Sequence, residues 1–170
     1  FAIFFLIPFF QGLYFSFFRY RLGTFQFWGL QGYGKLLHDR LFWVALANTA
    51  YYTLAIVPLW LFKALVISVL LFPFSSRVQT FYKALYYLPH VASTVIISLI
   101  WLWIYNPQFG LFNAGMRAAG LQPQVWLGNK ILAMPSVIFM QFVMGGGTTI
   151  VLLSAALAGL PNEYIEVARI

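Results

Sequence analysis

The stretch ILAMPSVIFMQFVMGGGTTIVLLSAALAGL, residues 131–160, runs for 30 residues without a charge. Crossing the hydrocarbon core of a bilayer takes about 20 apolar residues at about 1.5 Å each. This run crosses with length to spare, so it must tilt, bend or continue as helix beyond the lipid. Gly145, Gly146 and Gly147 sit in its middle. Each glycine costs a helix about 1 kcal/mol relative to alanine, so a bend is expected there. The segment MGGGTTI (144–150) resembles a phosphate-cradling loop only superficially, since the Gly-Lys-Ser/Thr that should follow is missing.

Three more runs share this character. Residues 1–18 carry no charge, residues 43–72 only Lys63, and residues 84–105 none in 22 positions. Membrane spans are therefore expected at about 1–18, 43–72, 84–105 and 131–160, the first read as a span entered partway. The whole chain agrees: it is 62% hydrophobic and 21% aromatic, with 8% charged residues. A soluble domain carries about a quarter charged residues. The fold class expected is all-α, a polytopic transmembrane helical bundle with four helices in this stretch, read as one transmembrane domain that continues past both ends. Trp43, Tyr82, Tyr86, Tyr87, Trp101, Trp103, Tyr105 and Trp126 crowd the run ends, as interfacial belts do.

The net charge of +7 comes from scattered Lys and Arg residues rather than a stripe, which argues against nucleic-acid binding. Cysteine is absent, so neither a disulfide framework nor a thiolate metal site exists. Within the four runs there is no carboxylate pair, no His/Asp/Ser grouping and no metal-ligand spacing; no catalytic residue, metal or cofactor is expected. Lys63 reads first as a stem snorkelling toward the helix end, and second as a solute-pairing or catalytic group. His90 reads first as a neutral, locally bonded histidine, and second as a proton carrier.

At about 100° per residue, His90, Ser93, Thr94, Ser98, Trp101 and Tyr105 fall on one polar arc of the third run. Gln141, Gly145, Thr148, Thr149, Ala156 and Gly159 share a face of the fourth. Small and hydroxylic residues at this spacing serve helix packing, and equally a polar solute pathway. The pathway candidates are Ser93, Thr94, Ser98, Trp101, Tyr105, Gln141, Gly145 and Thr148. An ion-coupled secondary transporter or channel is a competing reading, and a lipid-modifying membrane enzyme a third. The first needs intramembrane ionisable groups, for which only Lys63 and His90 offer themselves.

The tail PNEYIEVARI (161–170) holds two of the three acids of the chain. Pro161 stops the fourth helix, and Asn162 is a fair N-cap for another. Glu163 and Glu166 then suit the positive end of its dipole, with Arg169 later. A short amphipathic helix outside the bilayer is expected at 162–170.

Those residues carry a resemblance. LAGLPNEYIEVARI (157–170) is similar to the start of the EAA loop of binding-protein-dependent ABC-importer permeases. Glu166 matches its glutamate and Ala168 its second alanine, while Val167 replaces the first. FWGLQGYGKLLHDRLFWVALANT (27–49) resembles the Gly-Leu-x-Asn-Tyr…Ala-Leu-x-Asn-Thr stretch of the carbohydrate branch, the maltose and glycerol-phosphate type, with Gly32 in place of the usual Asn. YLPHVASTVIISLIWLWIYNPQFGLFNAGMRAAGL (87–121) and GGGTTIVLLSAALAGLP (145–161) extend the likeness. The resemblance implies a six-helix core in a bacterial or archaeal cell (inner) membrane. It implies a permease subunit translocating a sugar or related polar solute. Glu166, Val167, Ala168 and Arg169 would couple it, on the cytoplasmic side, to a separate ATPase subunit that holds the hydrolytic chemistry. A second permease subunit and an extracytoplasmic solute-binding protein would be the other partners. Counting loop charges gives the opposite orientation. Arg19, Arg21, Lys35, Arg40, Arg117 and Lys130 lie in the loops that this reading puts outside.

Overall fold

The computed structural model describes residues 2–21 and 23–159. The expected helix at 162–170, with Glu166, Val167, Ala168 and Arg169, lies outside the described residues. The chain divides into two compact units, up to Ala50 and from Tyr51 onward.

In the first unit, α1 (Ala2–Phe15) is apolar but for Gln11 and the Tyr14 hydroxyl, and carries Pro8 without ending there. A hairpin follows, which the all-α expectation lacks. β1 (Phe18–Arg21) pairs antiparallel with β2 (Thr24–Phe27), Phe18 opposite Phe27 and Tyr20 opposite Phe25. The physical cause is strict alternation of aromatic and polar residues around a glycine turn. Gly23 takes φ +81°, which the turn needs and a side chain would resist. The facing rings then meet, Phe18 on Phe27 at 5.4 Å and Tyr20 on Phe25 at 5.0 Å. The Trp28 indole lies between two cations, Arg19 at 4.9 Å and Lys35 at 4.8 Å. α2 (Gln31–His38) comes next, and the Tyr33 hydroxyl shares a 2.6 Å hydrogen bond with Ser16. Asp39 then starts α3 (Arg40–Leu71), its carboxylate accepting the Leu41 N–H at 2.8 Å.

α3 has 32 residues and so runs about 48 Å, longer than the roughly 30 Å hydrocarbon core. Pro58 is absorbed without breaking it. Among the described residues α3 is the one unbroken helix long and apolar enough to cross a membrane.

In the second unit, residues 73–83, which the expected spans leave as a connection, are mostly helix. α4 (Ser76–Val91) begins after Ser75, and the Gln79 side chain donates to the Phe72 and Phe74 carbonyls left at the end of α3. The run 84–105 is not one helix. α4 stops at Val91 and α5 (Thr94–Ile104) starts afresh, bent 92° away. Ala92 and Ser93 are extended between them, three and four residues after Pro89 has withheld its N–H from the ladder. The polar arc expected on the third helix is therefore interrupted between His90 and Thr94. The fourth run bends at the glycines: α7 (Ala133–Met144) and α8 (Gly147–Ala158) meet at 45°. Gly145 is extended and Gly146 takes φ +84°, a conformation that glycine adopts freely.

Between α5 and α7, α6 (Leu111–Ala118) holds the loop together through Asn113, which is fully buried. Its amide donates to the Pro107 and Gln124 carbonyls at 3.0 and 2.8 Å. Its oxygen accepts the Gln124 N–H and the Trp126 indole N–H, both at 3.0 Å. All four of its hydrogen-bonding positions are used.

Packing in this unit buries small and hydroxylic residues beside a few large apolar ones, among them Ile56, Leu71, Ile138 and Ile150, and leaves most large apolar side chains outside. Leu54, Phe62, Leu70, Val95 and Leu152 are exposed, while Ala64, Ser68, Ser136, Gly147 and Ser154 are buried. Ser154 donates to the Ser68 hydroxyl, and Ser68 to the Ile150 carbonyl, tying α3 to α8. α8 lies so close to α4 that a Cβ on Gly147 would collide with the Tyr86 carbonyl. Small and hydroxylic residues inside with large apolar ones outside is how helices associate in lipid.

Candidate functional site

The two breaks meet around a hollow of about 350 Å³. α4 contributes Pro89 and His90, the break after it Ala92, and α5 Thr94, Ile97 and Ser98. Met140, Gln141 and Met144 come from α7, Gly145 and Gly146 from the elbow, Thr148 and Thr149 from α8, and Trp60 from α3. Each helix break places flanking residues on the wall of the hollow, His90, Ala92 and Thr94 at one and Gly145, Gly146 and Thr148 at the other.

The chemistry of the wall is polar but uncharged. Ser98 spends its proton on the Thr94 carbonyl at 2.8 Å and keeps acceptor lone pairs. Among the described residues, the Gln141 amide, the His90 ring and the Thr148 and Thr149 hydroxyls have no protein hydrogen-bond partner. His90 stands 5.4 Å from the Tyr87 ring, and the local hydrogen bond expected for it does not form among the described residues. Amide, imidazole and hydroxyl groups with apolar methionine and tryptophan surfaces suit a neutral solute rich in hydroxyls and C–H faces. No group of three or more metal-ligating side chains occurs among the described residues.

Of the eight expected pathway residues, five line this hollow: Thr94, Ser98, Gln141, Gly145 and Thr148. Ser93 does not line it; its carbonyl accepts the Ile97 N–H at 3.1 Å at the start of α5. Trp101 and Tyr105 lie in an aromatic cluster instead, 5% and 4% exposed. Their rings are 5.3 Å apart and meet Phe112; Trp101 also meets Phe139 and Tyr105 meets Trp126. The Tyr105 hydroxyl donates to the Ser136 carbonyl at 2.7 Å, fastening α5 to α7. They share the helical arc with Ser98 but sit one and two turns on, beyond the end of the hollow.

Sequence reasoning misses Trp60 and Gly146 as wall residues, leaves His90 and Thr149 on their polar faces but outside the pathway set, and misreads Lys63. Lys63 does not snorkel to the helix end. Its ammonium turns inward and donates to the Phe142 and Gly145 carbonyls at the elbow. One signal was available: three glycines in a membrane helix free backbone carbonyls, and a lone lysine within a neighbouring span is a donor for them.

No protein-family model matches the chain. It is 32% identical over its whole length to the "Probable ABC transporter permease protein YurN" of Bacillus subtilis (strain 168), of which it covers 60%. It is 34% identical, again over its whole length, to the "Diacetylchitobiose uptake system permease protein NgcF" of Streptomyces coelicolor, covering 52% of that protein. The chain thus spans between half and two thirds of the length of these relatives. Among solved structures it is similar to a bacterial ABC transporter involved in the import of the acidic polysaccharide alginate. The TM-score is 0.76 at 22% identity, over 99% of this chain and 57% of that one. A second structure of a bacterial alginate ABC transporter, with an alginate pentasaccharide-bound periplasmic protein, gives 0.77 at 22% identity. At that identity the likeness speaks for the fold, a helical membrane fold.

Proposed function

We propose, on the premise that this chain belongs to the ABC-transporter permease family, that it forms part of the solute path of an ATP-driven importer. As a permease it is a multi-pass protein of a bacterial or archaeal cell membrane. The observation that carries the proposal is the hollow between two broken spans. It is lined by Ser98, Gln141, Thr148 and Thr149 in a bundle that exposes large apolar side chains such as Leu54, Phe62 and Leu152. Polar groups at membrane depth are costly unless something meets them, and solute pathways are where they are retained.

The solute we assign is a sugar or a related polyol-like compound. Hydroxyls and an amide can exchange hydrogen bonds with it while Trp60 offers a face for its C–H surface. Relatives named for xylose/arabinose import, alpha-glucoside transport and lactose transport support the class. Ion coupling is less well served: of the two titratable groups in the spans, Lys63 is committed to backbone carbonyls.

In this reading the core has six membrane helices, and the full protein pairs with a second permease subunit. An extracytoplasmic binding protein delivers the solute, and a separate ATPase subunit drives the cycle. The segment Glu166, Val167, Ala168 and Arg169 engages that ATPase from the cytoplasmic side, which its likeness to the EAA loop supports. The test is a single cysteine, Val167→Cys, in the full-length protein freed of any other cysteine and kept within native membranes. A crosslink to an ATPase subunit that weakens on adding ATP is the expected result. Labelling of Val167→Cys only from outside, with no ATPase captured, overturns the orientation and the coupling together.

A further inference from the structure

α7 ends where the chain leaves the helix at Gly145, and a helix end inside a bilayer leaves carbonyls with no water to meet. In an unbroken helix the Phe142 carbonyl receives the N–H of Gly146, and the Gly145 carbonyl that of Thr149. Here both accept from the Lys63 ammonium of α3, Gly145 at 2.5 Å. One turn earlier on α3, the Trp60 indole N–H donates to the Gln141 carbonyl at 2.9 Å. The Phe142 ring also faces the ammonium, 5.0 Å away. The fit leaves no slack. A Cβ on Gly145 would stand 2.5 Å from Trp60 Cζ2, and one on Gly146 3.3 Å from Lys63 Cε.

The electrostatics are reciprocal. A lysine within a span is expensive unless its charge is met, and a helix C-terminus carries about half a negative charge. Asp39, the single acid among the described residues, lies in the other unit. The freed carbonyls are thus what meets the Lys63 charge, and Lys63 is what satisfies the break.

We propose that Trp60 and Lys63 are positioning residues, a two-point staple that sets the elbow of the broken span. By holding the Gln141, Phe142 and Gly145 carbonyls, the staple fixes where Gln141, Thr148 and Thr149 stand in the wall of the hollow. Its consequence for transport rests on the reading of that hollow as the solute path.

The test uses the full-length permease, freed of cysteine and assembled with its partners in native membranes. Thr148→Cys reports on the elbow and Ser98→Cys on α5, each titrated with the neutral reagent methyl methanethiosulfonate across a range of pH, so that every rate is referred to the thiolate and a shift of thiol pKa from the lost charge is separated from a change in access. Adding Lys63→Met changes the Thr148→Cys rate by about tenfold, the effect of losing a charge-assisted hydrogen bond on an opening equilibrium. Lys63→Arg, which keeps charge and donors, returns it to near the parent rate. Ser98→Cys holds its rate throughout. A Thr148→Cys rate that Lys63→Met leaves unchanged overturns the staple, and so does an equal shift at Ser98→Cys, which marks general loosening. If Lys63→Met does not reach the membrane, Trp60→Phe carries the test: it removes one indole N–H, and an unchanged rate overturns the proposal. The pathway reading fails separately, when a bulky thiosulfonate on Thr148→Cys leaves uptake of labelled lactose and xylose intact while Lys63→Met still shifts reactivity.

Discussion

Asn113 makes more side-chain hydrogen bonds than any other described residue. It is completely buried and bonds four times across the turn from Pro107 to Trp126. Asn113→Ala leaves two carbonyls, an amide N–H and an indole N–H without partners at once. Unsatisfied buried groups cost about 1–3 kcal/mol each before relaxation. We expect a loss of about 3 kcal/mol, read as a lower thermal midpoint in detergent and faster proteolysis between residues 106 and 130. Nothing in the spacing of the sequence marks Asn113 apart from other loop asparagines. Its importance comes from which carbonyls the fold brings to it.

At the scale of elements, the breaks matter more than the helices. The three glycines make a bend in the fourth run legible, because their propensity penalty is local. The 92° bend in the third run is not legible, since Pro58 is absorbed in α3 while the chain turns soon after Pro89. Proline removes one hydrogen bond in each case; whether the helix then continues depends on its neighbours. The hairpin is legible in the alternation of FRYRLGTFQF, a pattern that an all-helical reading overlooks. Gly146→Ala tests the elbow directly. With φ at +84° and Lys63 close by, alanine there should cost about 1–2 kcal/mol, measured by thermal unfolding. Gly115→Ala, with open space around it inside α6, should be neutral or stabilising by about 0.5–1 kcal/mol in the same assay.

At the scale of the whole molecule, large apolar side chains cover the surface as well as filling part of the interior. Leu54 is 75% exposed on α3, a position that is a fault in water and ordinary in lipid. Leu54→Asp is expected to cost about 2.5–3.5 kcal/mol of insertion, measured as the glycosylated or protease-protected fraction of membrane-inserted chain, while Leu54→Phe inserts normally.

Composition and run length alone determined that the chain lives in a bilayer, because hydrocarbon tolerates so few charges that a sequence of this kind has one compatible solvent. The motifs near Asn48 and Glu166 carried its likeness to ABC-importer permeases. The tertiary structure decided which polar residues share a space. Helical periodicity places Ser98, Trp101 and Tyr105 on one arc, yet only Ser98 reaches the hollow, because a face says which way a side chain points and not what stands opposite it. It also decided the use of Lys63. A charge in a span must be met somewhere, but the carbonyls that meet it belong to a helix end 79 and 82 residues away in the chain, and only folding brings that end within reach.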